Sequence, residues 1–109
     1  MILTMKNYKE AFQGISVVEV SGESCANCLT LMPILHRLIM PRSDCMLHHL
    51  EATEETMPLI RELGVEGVPT ILVMENERVY AKCKGYQPEE ILEIWLDAKI
   101  SEIKEKACK

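Results

Sequence analysis

The stretch Ile15-Ser16-Val17-Val18-Glu19-Val20 restricts the fold of this chain more than any other. It has strand length, and it is nearly continuous in apolar side chains rather than alternating, the pattern of a strand covered on both faces. Such a strand needs a layer above and a layer below, and the flanking segments are suited to supply them. Leu29–Met40 places Leu31, Leu35 and Leu38 at helical spacing, with Pro33 inside, where a missing backbone donor predicts a kink. Met5–Phe12 reads as a short first helix, after a strand stub at Ile2-Leu3.

Cys45–Glu51 reads as the next strand and Glu54–Leu63 as a helix stopped by Gly64, the residue that most readily takes the left-handed stop position. Thr70–Met74 is a second β-branched apolar run, turned by Glu75-Asn76-Glu77 into Val79–Cys83. Pro88, Glu89 and Glu90 suit the first turn of a last helix, whose buried stripe is Leu92, Leu96, Ile100, Ile103 and Ala107. Strands alternate with helices and end in a hairpin. That order predicts an α/β fold with a central mixed β-sheet flanked by helices on both faces. The sequence carries no internal repeat, low-complexity tract or linker, so residues 1–109 are expected to form a single domain.

Charge and composition narrow the functions. A net charge of −5 gives no attraction for phosphate backbones or anionic lipid, and the few aromatics form no basic-aromatic strip. No apolar run is long enough to span a bilayer, and the first ten residues lack the pattern of a signal peptide. The five cysteines, at 25, 28, 45, 83 and 108, are odd in number, which fits a reducing compartment where structural disulfides are rare. A cytoplasmic protein binding neither nucleic acid nor membrane is the expectation.

Cys25-Ala26-Asn27-Cys28 lies between the end of the buried strand and the start of a helix. A thiol at a helix N-terminus meets free N–H groups and the positive end of the dipole, which stabilise its thiolate. A second thiol three residues on can attack a mixed disulfide and release the partner, so the pair exchanges two electrons without a cofactor. The rival readings are two inert buried thiols or a zinc site. Zinc needs two more ligands, and His48 and His49, adjacent on a strand, point to opposite faces. The dithiol reading is favoured, with no metal.

These residues, together with Val17-Val18-Glu19-Val20, Met32-Pro33-Ile34-Leu35, Gly64-Val65-Glu66-Gly67-Val68-Pro69-Thr70 and Lys84-Gly85-Tyr86, resemble the thioredoxin family along nearly the whole chain. The resemblance implies a thioredoxin-like fold and a thiol–disulfide oxidoreductase that reduces disulfides in protein partners. It implies that Cys25 is the exposed attacking thiol and Cys28 the buried resolving one. It further implies a cis bond before Pro69, facing the dithiol, with Val68 backbone groups binding substrate as an added strand. Ser24 and Gly85 fall at the same substrate face. Glu19 has the spacing of the family's buried acid, six positions before the first Cys. Among valines its ionised form is disfavoured, which suits a proton relay to Cys28; the other reading is a solvated sheet edge.

The chain departs from the family pattern in three places. Ser24 stands where a Trp usually precedes the first Cys, and Ala26-Asn27 replace Gly-Pro. The Lys often paired with the buried acid is not evident, with His48 or Leu50 near that strand position. The expected partners are disulfide-containing proteins and a thioredoxin reductase or equivalent electron donor, for a monomer serving electron transport and cell redox homeostasis. Alternatives are a glutathione-dependent, glutaredoxin-like reductase, whose paired glycines are absent at Lys84-Gly85-Tyr86-Gln87, and a non-catalytic binding module. His36 reads as a partly exposed helix residue, Glu51, Glu54, Glu55 and Glu62 as a solvated acidic face, and the methionines as core filler. Cys83 reads as buried and Cys108 as exposed.

Overall fold

The computed structural model describes residues 1–107, Ala107 by its backbone alone. The expectations for Cys108 and for the Ala107 side chain lie outside the described residues. The elements run α1 (Tyr8–Ala11), β1 (Ile15–Gly22), α2 (Ala26–Ile39), β2 (Met46–Ala52), α3 (Met57–Glu62), β3 (Thr70–Glu75), β4 (Arg78–Lys84) and α4 (Glu89–Ala107). This is the predicted order, and the sheet is mixed, as expected: its strands lie β2-β1-β3-β4. β1 pairs parallel with β2 and antiparallel with β3, and β3 pairs antiparallel with β4.

β1 is central, and its residues from Ser16 to Val20 are fully buried. Val17 faces a core built with Leu31, Leu35 and Ile39 of α2 and Leu92, Leu96, Ile100 and Ile103 of α4. Val18 and Val20 face the other core, with Phe12 beside α1 and Leu59 and Ile60 of α3. Alternation along one strand thus sends successive side chains into two separate cores. The Ile2-Leu3 stub is present as a single parallel bridge from Ile2 to His49. Leu3 N–H donates to the His49 carbonyl at 2.7 Å and His49 N–H to the Met1 carbonyl at 2.9 Å, which covers the outer edge of β2.

Three helix starts differ by three residues from the sequence reading, each because a side chain takes up backbone N–H groups at the helix entry. Thr4 Oγ1 accepts from the N–H groups of Lys6 and Asn7, so α1 begins only at Tyr8. Thr53 and Thr56 exchange backbone-to-hydroxyl bonds and form a turn, so α3 begins at Met57 with Pro58 in its first turn. α2 begins three residues earlier than predicted, at Ala26, because Cys25 caps it. Gly64, at φ +74°, and Asn76, at φ +53°, occupy the left-handed positions expected of the helix stop and the hairpin turn. The methionines are not all core filler: Met74 is buried, but Met1, Met40 and Met46 are exposed.

Candidate functional site

β1 ends at Gly22, and α2 starts after a tight junction in which Ser24 takes φ +60°. A non-glycine residue in that region costs about 1 kcal/mol of backbone strain. It sets the next residue, Cys25, in an extended conformation at the N-cap. The Cys25 Sγ accepts the backbone N–H of Cys28 at 3.2 Å, one of the donors a helix start leaves free. Cys25 and Cys28 are joined as a disulfide with their Cα atoms 5.3 Å apart. Cys25 is partly exposed whereas Cys28 is buried. One sulfur is therefore open to a partner and the other is reached only through the first.

An open groove of about 490 Å³ lies at this junction, lined by Ser21, Gly22, Ser24, Cys25, Cys28 and Met32 among others. Val68 stands beside it, 40% exposed: a Cβ placed on Gly22 would meet Val68 Cγ2 at 3.1 Å. The Val68–Pro69 peptide bond is cis, as expected. Gly85, at φ +86°, donates its N–H to the Pro69 carbonyl at 2.8 Å. The Thr70 hydroxyl donates to the Gly67 carbonyl at 2.6 Å. The first bond fastens the 67–70 segment to the end of β4, and the second closes the segment on itself. The structure thus gathers Ser24, Cys25, Cys28 and Val68 at one end of the sheet, with Pro69 and Gly85 behind them.

Glu19 is not at a solvated edge; its side chain is fully buried on the α2 face of the sheet. It has a side-chain partner as well. The register of the β1–β2 pair sets His49 directly opposite, and His49 Nδ1 lies 3.1 Å from Glu19 Oε1. The position expected to hold Leu50 or His48 opposite the acid is therefore held by His49. Glu19 Oε2 has no hydrogen-bond partner among the described residues. His49 Nε2 in turn meets His36 Nε2 of α2 at 3.2 Å, with the two rings stacked 5.3 Å apart. His36 is exposed, as expected, but it is engaged. The sequence reading gave neither histidine a part in the site. The signals available were the parity that puts His49 on the face of Glu19 and the spacing Cys28–Met32–His36, which lines one side of a helix.

Of the other titratable groups, Glu51 borders the groove. Burial pushes the Cys45 thiol up to about 11, and burial also raises that of Cys83. Cys83 is half-buried against the α4-side core rather than fully enclosed. His48 is buried on the opposite face from His49, and burial holds its imidazole below the ordinary value. Glu51, Glu54, Glu55 and Glu62 are exposed. Among the described residues no three His, Cys, Asp or Glu side chains converge so as to hold a metal.

The chain matches the family described as Thioredoxin over residues 1–98. It is 28% identical over 98 residues to the thioredoxin of Alicyclobacillus acidocaldarius subsp. acidocaldarius, covering 88% of this chain and 93% of that one. Against the chloroplastic thioredoxin F2 of Arabidopsis thaliana it is 26% identical over 84 residues, 77% of this chain but 45% of that relative. The chain thus spans under half the length of that chloroplast protein. A solved thioredoxin f2, crystallised in complex with ferredoxin:thioredoxin reductase, superposes with a TM-score of 0.80 at 20% identity, covering 90% of this chain and 92% of that one.

Proposed function

This chain belongs to the thioredoxin family and is a thiol–disulfide oxidoreductase, and on that premise we propose that Cys25 and Cys28 carry its chemistry, reducing disulfides in protein partners. The observation that bears most weight is the asymmetry of the pair. Cys25 is partly exposed at the cap of α2, its sulfur on the Cys28 N–H, while Cys28 is buried one turn in. Cys25 as thiolate attacks one sulfur of the partner's disulfide; that S–S bond breaks, the other partner sulfur leaves as thiolate, and a mixed disulfide forms. Cys28 then loses its proton and attacks Cys25 Sγ. The Cys25–Cys28 bond forms, the second partner thiolate leaves, and two electrons have passed to the partner.

In this reading Glu19 receives the Cys28 proton. Val68, exposed beside the groove, and Pro69 shape the seat for an extended substrate strand, with Ser24 and Gly85 at its margins. A small Ser24 in place of a large apolar side chain leaves the seat shallow, so affinity must come from the partner's own backbone. The oxidised pair needs an electron donor. A thioredoxin reductase or equivalent fits, supported by the solved complex of a thioredoxin f2 with ferredoxin:thioredoxin reductase. No helix among the described residues is long and apolar enough to cross a membrane. We place the protein in the cytoplasm as a one-domain monomer that serves electron transport and redox homeostasis.

The test is trapping. Cys28→Ser incubated with a disulfide-bonded protein should accumulate a mixed disulfide at Cys25, since the intermediate has no intramolecular exit, and Cys25→Ser should not. Equal trapping by both variants, or by neither, would show that the two roles are wrongly assigned.

A further inference from the structure

The buried carboxyl under the dithiol has a continuous hydrogen-bonded route to the surface, and the route leaves through histidines. Glu19 Oε1 meets His49 Nδ1 at 3.1 Å, and His49 Nε2 meets His36 Nε2 at 3.2 Å. Exposure rises stepwise along it, from 0% for the Glu19 side chain to 19% for that of His49 to the exposed His36. Ile71 of β3 is directly opposite Glu19, and α4 adds Leu92 and Leu96 to the same core as Ile71. The charged groups nearest the route lie at its margins. Glu51 is exposed two residues beyond His49, and the Met1 ammonium donates to the Leu47 carbonyl at 3.1 Å.

The placement of α2 links this route to the reacting sulfur. Cys28, Met32 and His36 follow each other at four-residue spacing and so share one side of the helix. Met32 and Cys28 border the same groove as Ser21 and Glu51, which are paired across β1 and β2 two residues beyond Glu19 and His49. The helix therefore runs along the β1–β2 seam, with Cys28 at the dithiol end and His36 over His49. A helix rise of about 1.5 Å per residue separates Cys28 from His36 by roughly 12 Å. Glu19 and His49 lie along the same seam, paired across β1 and β2.

We propose that Glu19, His49 and His36 form a proton relay that exchanges the Cys28 proton with solvent on the outer face of α2, His49 and His36 acting as positioning residues through Glu19. The proposal rests on the roles given to Cys25 and Cys28 above. Before the step the Glu19 carboxyl carries a proton on Oε1 and donates it to His49 Nδ1, and His49 Nε2–H donates to His36 Nε2. When Cys28 gives its proton to the unpartnered Oε2, the Oε1 proton passes to His49 Nδ1. In concert the His49 Nε2 proton passes to His36 Nε2 and the His36 Nδ1 proton to water, and re-reduction of the disulfide runs the same shifts backwards. One proton leaves Cys28 and one enters solvent. Charge balances, because the two electrons go with the substrate sulfurs. Proton release thus uses a door separate from the groove, which the bound partner covers during the second step.

The experiment is reduction of insulin disulfides with dithiothreitol as electron source, comparing wild type with His36→Ala and His36→Gln, with and without added imidazole. His36 is exposed, so neither change disturbs the core. The step that resolves the mixed disulfide should slow by about tenfold in both variants, less than the roughly hundredfold or more that a group acting directly on the reacting atom supplies. Free imidazole should restore the rate in His36→Ala. A rate equal to wild type, or a loss that imidazole leaves untouched, would overturn the relay while leaving the dithiol roles standing. A wild-type chain that fails to reduce insulin overturns those roles first, and the relay with them.

Discussion

Lowering the pH from 7.5 to 5.5 should destabilise this protein partly through one histidine, His48, which takes no part in the redox site. His48 is 2% exposed on the α1 side of the sheet, and its ring has only a weak approach to the Ala11 backbone, short of a well-formed hydrogen bond. Burial, helped by the nearby N-terminal ammonium, lowers its pKa, so the folded protein holds the ring neutral. The unfolded chain binds a proton at about pH 6.5 and the folded one does so only below that. The unfolded state therefore carries the extra proton over the window between the two values, and stability falls as pH falls through it. The slope cannot exceed one proton, or about 1.4 kcal/mol per pH unit. Between pH 6.5 and 5.5 the loss from this group is at most about 1 kcal/mol, or roughly 4–8 °C in Tm for a domain of this size. His48→Leu fills a similar volume without a polar atom. It should match or exceed wild-type stability at pH 7.5, since an unpartnered buried donor costs about 1–3 kcal/mol. The assay is urea denaturation of both proteins at pH 5.5, 6.5 and 7.5. The gap between them should widen in favour of His48→Leu as pH falls. Parallel pH dependences would refute the argument. The same measurement separates stability from turnover, because the relay histidines lie on the opposite face.

Two further outcomes follow from the same coordinates. In the reduced protein at pH 7, iodoacetamide should alkylate Cys25 well before Cys45 or Cys83. A thiol held at about 11 is ionised in about one molecule in ten thousand there, and peptide mapping that finds Cys45 or Cys83 labelled first would contradict the site. Leu35→Ala, on the fully buried side of the helix that carries the dithiol, should cost about 2–5 kcal/mol by the fall in urea midpoint; a cost under 1 kcal/mol would mean that α2 is not anchored through this core.

The pattern of apolar residues decided a good deal unaided. A continuous run from Ile15 to Val20 demanded a strand between two layers, and β1 has that place because no other packing hides both of its faces. Cys25 and Cys28 at a strand-to-helix junction, Gly64 at a positive φ and the turn at Asn76 were all local, set by spacing and by which residues tolerate which backbone angles. The face of Glu19 was legible too, since side chains alternate along a strand. Its partner was not. Alternation assigns His49 to a face but leaves the register of β2 against β1 free, and that register joins residues 30 positions apart. Nor does the helical repeat of Cys28, Met32 and His36 say which seam of the sheet α2 lies upon. Whether Cys83 is enclosed or half-open, and which methionines reach solvent, depends on how far a neighbouring element extends. Sequence periodicity carries information about directions around one element, whereas the Glu19–His49–His36 alignment needs distances between three elements. Those distances exist only once the two cores have closed around β1.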